Sequence, residues 1–238
     1  MKDKAHKPLI VKGARQIGKT ESILHFANEN YHNVIYINFV LDKKYSKIVN
    51  DGYDVICSGS MLGINYKRIH SNSVGNKTDY EMYSMDFEEF LWAKGYQDAQ
   101  IHEILNHMLE LRPFSDTELQ VHKLLFLDYC VLGGMPDVVR GYIETGTFSG
   151  SLDTQEQIRL DYEEDVRKYA QGLDQTKIIS VYRSIPAQLA KENKKFQFNK
   201  MNRNARSREY TGCIEWLIDA GVITECNLGG RLLCTNPK

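Results

Sequence analysis

The chain has 238 residues, 42% hydrophobic and 26% charged, with a net charge of −1. That is the composition of a globular protein of one or two domains, not of a disordered or collagen-like chain. Near-zero charge gives no bulk field toward DNA or acidic lipid, and no apolar run approaches the ~20 residues of a membrane-spanning helix.

The start, Met1 to Lys7, is charged and lacks the apolar stretch of a signal peptide. The five cysteines (Cys57, Cys130, Cys213, Cys226 and Cys234) form no C-x-x-C pair. Free thiols, a cytoplasmic location and no zinc site are therefore expected.

Pro8 to Lys12 is a short apolar segment expected as a buried parallel strand. It runs into Gly13-Ala14-Arg15-Gln16-Ile17-Gly18-Lys19-Thr20, which fits G-x-x-x-x-G-K-[ST], the phosphate-binding loop of P-loop NTPases. Glu21 to Asn28 then reads as a helix with Ile23, Leu24 and Ala27 on one face. Strand, glycine loop and helix are the context this motif requires. Gly13 and Gly18 let the backbone turn and approach a phosphate, and the loop N–H groups face the anion. Lys19 is expected on the β- and γ-phosphates, and the Thr20 hydroxyl on Mg²⁺. Residues 13–20 with Glu21 are the candidate nucleotide-binding stretch, and ATP with Mg²⁺ the expected ligands.

Asn33 to Phe39 is rich in β-branched and aromatic residues and is expected as a second strand. Asp54 to Ser60 is expected as a third. Its end falls where ligands bind in open α/β sheets, so Ser58 and Ser60 are candidates to sense a γ-phosphate, with a plain turn as the alternative. Tyr80 to Met85 is a candidate fourth strand, and Asp86 to Gly95 a helix with an acidic first turn.

From Gln97 the pattern turns helical. Helices are expected over Ile101 to Leu111, Val121 to Leu132, Asp137 to Ile143, Asp153 to Tyr169 and Gln175 to Leu189, with a linker over Gly146 to Gly150. Ser207 to Gly221 reads as a helix with Tyr210, Ile214 and Leu217 buried and Gly221 as its stop. A hairpin over Val222 to Cys234 would complete a winged-helix-like module. The expected fold class is α/β: a P-loop NTPase with a small parallel sheet over 1–95, a helical lid-like region over 96–150, and a winged-helix-like module over 151–238 that looks cut short.

Three further groupings have two readings each. Lys191 to Arg208 holds seven basic residues with Phe196 and Phe198 among them. It is either a nucleic-acid contact surface or, as the balance of charge favours, a solvated face. His102 and His107 are five apart, about 140° around a helix, which rules out a zincin pair. Asp161, Glu163, Glu164 and Asp165 are either a metal or acid/base cluster or, by the commoner pattern, a solvated helix face.

A P-loop ATPase also needs an acidic residue at the end of a second apolar strand, to hold Mg²⁺ and orient water. No segment of that kind is evident. Only fourteen residues, Val40 to Tyr53, separate the second and third expected strands.

Taken in order, Lys12 to Thr20, Ser58 to Gly63, Asp86 to Leu91, Leu132 to Pro136, Ser184 to Leu189 and Glu215 to Gly221 resemble the bacterial and archaeal AAA-type ATP-binding proteins, in which a C-terminal module of unknown function follows the P-loop domain. The resemblance implies the fold and ATP binding, and a Ser-Gly-Ser strand beside the P-loop strand. It also implies a Walker B acidic segment before that strand and a helix before the first strand, and the sequence as read offers no match to either. Hydrolysis is accordingly expected to be impaired. An active ATPase recruiting another acid, such as Asp51 or Asp54, is one alternative. A DNA-associated regulator acting through the C-terminal end is another, and a protein partner or oligomer remains open.

Overall fold

The computed structural model describes residues 7–38, 54–59, 77–170, 172, 174–192, 196–198 and 207–224. It is an α/β structure with a small parallel sheet and mostly helical content. The chain divides into two compact units, 1–164 and 165–238.

In the first unit, β1 (Leu9–Lys12) buries Ile10 and Val11 at the centre of a three-stranded sheet. β2 (Ile56–Ser58) and β3 (Thr78–Glu81) flank it, both parallel to it. Leu9 lies opposite Ile56 and Thr78, and Val11 opposite Ser58 and Tyr80. All three strands therefore end at the same edge, where β1 gives way to the loop 13–18 and α1 (Lys19–Asn30). Of the expected apolar face of α1, Ala27 is buried and Ile23 and Leu24 are half-buried.

The strand expected over Asn33 to Phe39 is not formed by residues 33–38, and Phe39 lies outside the described residues. Ile35 is 75% exposed and Tyr36 61%. The strands that flank β1 are β2 and β3. On β3, Asp79 accepts hydrogen bonds from Lys12 and Lys77, both at 3.0 Å. β-propensity marks a residue type suited to a pleated surface, and the partner strand decides whether the ladder forms.

Six helices follow: α2 (Phe87–Ala93), α3 (Asp98–Leu109), α4 (Asp116–Leu132), α5 (Pro136–Thr145), α6 (Ser149–Tyr169) and α7 (Gln175–Leu189). Several of them begin with reciprocal caps. Asp86 and Glu89 exchange side-chain and backbone hydrogen bonds at the start of α2, and Ser115 and Glu118 do so at α4. Phe87 and Phe90 of α2 meet Phe126 and Tyr129 of α4 ring against ring. The Tyr129 hydroxyl also donates to the Met85 carbonyl at 2.9 Å.

The Gly133-Gly134 break has a steric cause. A Cβ on Gly134 would lie 2.0 Å from the Met85 carbonyl oxygen. That close approach lets Met85 donate its N–H to the Gly134 carbonyl at 2.8 Å and brings Pro136, the first residue of α5, toward the glycine loop. The expected linker is shorter than its composition suggests. Gly146 ends α5 in the left-handed conformation, and Gly150 already lies inside α6.

In the second unit, α7 packs on α8 (Ser207–Asp219) through Ile178, Val181, Tyr210, Cys213, Trp216 and Leu217. Ile214, expected in the buried stripe, is half-buried; Cys213 and Trp216 carry that face with Tyr210 and Leu217. Gly221 (φ 71°) stops α8 with paired backbone bonds, Gly221 N–H to Ile218 and Val222 N–H to Leu217. The hairpin expected from Val222 to Cys234 lies, from residue 225 on, outside the described residues.

Candidate functional site

The glycine loop leaves the carboxyl edge of the central strand and returns as α1. Its backbone has three left-handed turning points: Gly13 (φ 140°), Gln16 (φ 63°) and Gly18 (φ 85°). Gly13 is also required by space, because a Cβ there would lie 2.1 Å from the Met82 carbonyl oxygen just past β3. Met82 in turn donates its N–H to the Lys12 carbonyl at 2.9 Å, so the exit of β3 is seated against the start of the loop. Over Gly18 stand Pro136 Cγ and Met82 Cε, 3.6 and 4.0 Å from where a Cβ would be.

Lys19 is 6% exposed. Its Nζ donates to the Gly13 carbonyl at 3.0 Å and to the Ala14 carbonyl. Burial pushes its pKa down to about 8. The ammonium is thus held at the loop by main-chain oxygens. Ile17, 2% exposed, anchors the loop beneath. Gly18 caps α1 without a side-chain hydrogen bond. The first regular helical bond runs from Ser22 N–H to the Gly18 carbonyl at 3.0 Å, so the N–H groups of residues 19–21 precede the helical ladder. They carry the positive end of the helix dipole. Thr20 and Glu21 are exposed in this first turn.

The motif residues 13–20 therefore come together as one loop and helix start. Ser60, one of the two serines offered as candidates to sense a γ-phosphate, lies outside the described residues. Ser58 ends β2 opposite Val11 and is exposed. Asp54 lies at the far end of the sheet. It stands two residues before Ile56, the partner of Leu9, and accepts a hydrogen bond from the Tyr31 hydroxyl at 2.9 Å. Asp51 lies outside the described residues, as does most of the basic stretch from Lys191 to Arg208. Among the described residues no group of three or more His, Cys, Asp or Glu side chains is placed to hold a metal ion. His107 is buried and stacks on Phe114 at 4.3 Å.

Two features escaped the sequence reading. The first is that β3 ends on an acid: Glu81 lies opposite Lys12, one residue before the loop. The second is α6. Its acidic run is not a solvated face, since Glu163 and Asp165 are 1% and 4% exposed. Arg159 pairs with Glu163 and also with Glu156. Asp161 accepts from Gln16 Nε2 at 2.7 Å and from Gln157 Nε2 at 2.9 Å. The Tyr162 hydroxyl donates to the Arg15 carbonyl at 2.8 Å. No local pattern announces a contact between residues 147 positions apart in the chain.

A family model described as "Domain of unknown function (DUF8612)" matches residues 123–233. The matched region includes Asp161 and Tyr162 and stops short of the glycine loop. No curated protein and no solved structure matches the chain. Among the described residues no helix is long and apolar enough to cross a membrane.

Proposed function

We propose that the chain binds ATP, with its phosphates on residues 13–20, and turns it over slowly. The observation that carries this reading is Lys19: a buried ammonium held to the carbonyls of a glycine loop that joins a central parallel strand to a helix N-terminus. The donor set fits a polyphosphate, with loop N–H groups, the start of α1 and one cation together in one turn of chain. For Mg²⁺ the fit is thinner. Thr20 Oγ1 is the side-chain oxygen at the helix start, and the remaining ligands would be phosphate oxygens and water. ATP and Mg²⁺ supply the bond to be broken and the charge neutralisation. The chain supplies the phosphate cradle through its N–H groups and charge balance through Lys19.

Slow turnover follows from the absence, among the described residues, of an acid ending a second apolar strand; β3, which ends on Glu81, is exposed along its length. Phosphoryl transfer depends on positioning and electrostatics, so a loosely held cation and an unoriented water raise the barrier without weakening the ground state. At ~1.4 kcal/mol per factor of ten, two lost contacts amount to roughly a thousandfold in rate.

One observation favours a second reading, an active ATPase with Glu81 as its acid. Glu81 ends a parallel strand adjacent to β1, in register with Lys12. Fast turnover lost in Glu81→Gln would favour it.

Binding is tested by calorimetric titration of ATP into the wild type and Lys19→Ala. The charge-assisted bonds of Lys19 are worth ~1.5–3 kcal/mol, so the variant should bind at least about tenfold more weakly. Equal affinities would remove the reading.

A further inference from the structure

The contact between α6 and the glycine loop is long in sequence and specific in geometry. Tyr162 is 8% exposed and directs its hydroxyl at the Arg15 carbonyl. A peptide unit is planar and trans, so its C=O and N–H point in opposite directions. Fixing the Arg15 carbonyl on α6 therefore aims the Gln16 N–H away from α6. Gln16 is at the same time one of the two described non-glycine residues with positive φ, at 63°. That conformation is disfavoured for a residue with a Cβ and persists when its surroundings hold it. Asp161 does so, accepting from the Gln16 side chain at 2.7 Å while Gln157 holds its other oxygen at 2.9 Å.

We propose that Tyr162 and Asp161 are positioning residues of the phosphate loop, setting the Arg15–Gln16 peptide so that its N–H serves as a phosphate donor. This rests on the nucleotide-binding reading and adds to it a part of the site that lies outside the motif. Neither side chain is assigned a contact with the nucleotide. They act through the orientation of one peptide plane and the φ of one residue. Preorganising a donor reduces the ordering that the ligand must otherwise bring about, so their loss appears in affinity.

The test uses Tyr162→Phe, which removes one oxygen, and Asp161→Ala as an independent second variant. Each is titrated with ATP and with inorganic tripolyphosphate, well below its melting temperature. The position of one phosphate donor affects both ligands alike. One hydrogen bond corresponds to about three- to tenfold in the dissociation constant, and that loss is expected for both ligands in both variants. A merely structural role lowers the melting temperature and leaves the affinity of the folded protein unchanged. Wild-type affinity in both variants, beside a Lys19→Ala control whose binding is weakened, overturns the positioning role alone. Loss for ATP without loss for tripolyphosphate also overturns it. Wild-type protein that binds neither ligand overturns the nucleotide reading and this inference with it.

Discussion

At the scale of single residues, Lys19 sets the chemistry. Burial lowers its pKa from the ordinary 10.5 to about 8, with no carboxylate among the causes. A lowered lysine pKa means that the folded chain releases this proton before the unfolded chain does. Between pH 8 and 10.5 the unfolded state holds more protons, so this group's contribution to stability rises with pH across that window. Below pH 8 both states are protonated, and the cost of burying the charge is present in full. Ligand affinity moves the other way, because a phosphate needs the ammonium. The phosphates of ATP are already ionised at pH 7. Raising the pH from 7 to 9 should therefore weaken ATP binding by up to about tenfold through Lys19 alone. The titration is repeated in Lys19→Ala, where this pH dependence should vanish. Equal affinity at the two pH values in the wild type would show that the ammonium does not face the ligand.

At the scale of elements, termini determine where helices stop and how the site is reached. α3 ends with the N–H of Arg112 bonded to the His107 carbonyl at 2.9 Å, which forces Leu111 into φ 54°. Glycine takes that position at the ends of α2 and α8, as Gly95 and Gly221. Leu111 is 89% exposed and has little packing to lose. Leu111→Gly should relieve backbone strain, offset in part by glycine's larger unfolded-state entropy, for a net gain of ~0.5–1 kcal/mol. Urea unfolding measures it, and a lower midpoint in the variant would contradict this account of the turn. The helices themselves were legible in the sequence because their signals are local. Apolar periodicity places them, the acidic first turn marks the start of α2, and Gly133 and Gly146 mark ends, whereas α4 begins at Asp116, capped by Ser115 with Glu118, five residues before the expected Val121. The strands were less legible. β3 has four exposed residues and a polar sequence, and it pairs with β1 where the more apolar segment 33–38 does not. No residue within either segment states which of them the central strand will accept.

At the scale of the whole molecule, the glycine loop joins parts drawn from across the sequence. Its motif was readable because eight consecutive residues carry it. The groups around it were not. Met82 and Pro136 stand over Gly18, while Asp161 and Tyr162 take hold of Gln16 and Arg15. These meetings depend on how β3, α5 and α6 pack in the unit 1–164. The acidic run on α6 illustrates the difficulty. Its spacing matches a solvated face, yet packing buries Glu163 and Asp165 and turns Asp161 toward the loop. The same placement limits the choice of a hydrolytic acid, since Asp54 is at the opposite end of the sheet and Glu81 is beside the loop.

The central claim is that ATP is held on the loop and survives there. The most direct test incubates ATP labelled on the α-phosphate with excess protein and Mg²⁺ for minutes, then separates and identifies the protein-bound nucleotide. The account predicts label retained by the wild type, reduced with Lys19→Ala, and recovered as ATP. Bound label recovered as ADP from the wild type would contradict slow turnover, and no retained label would contradict binding itself.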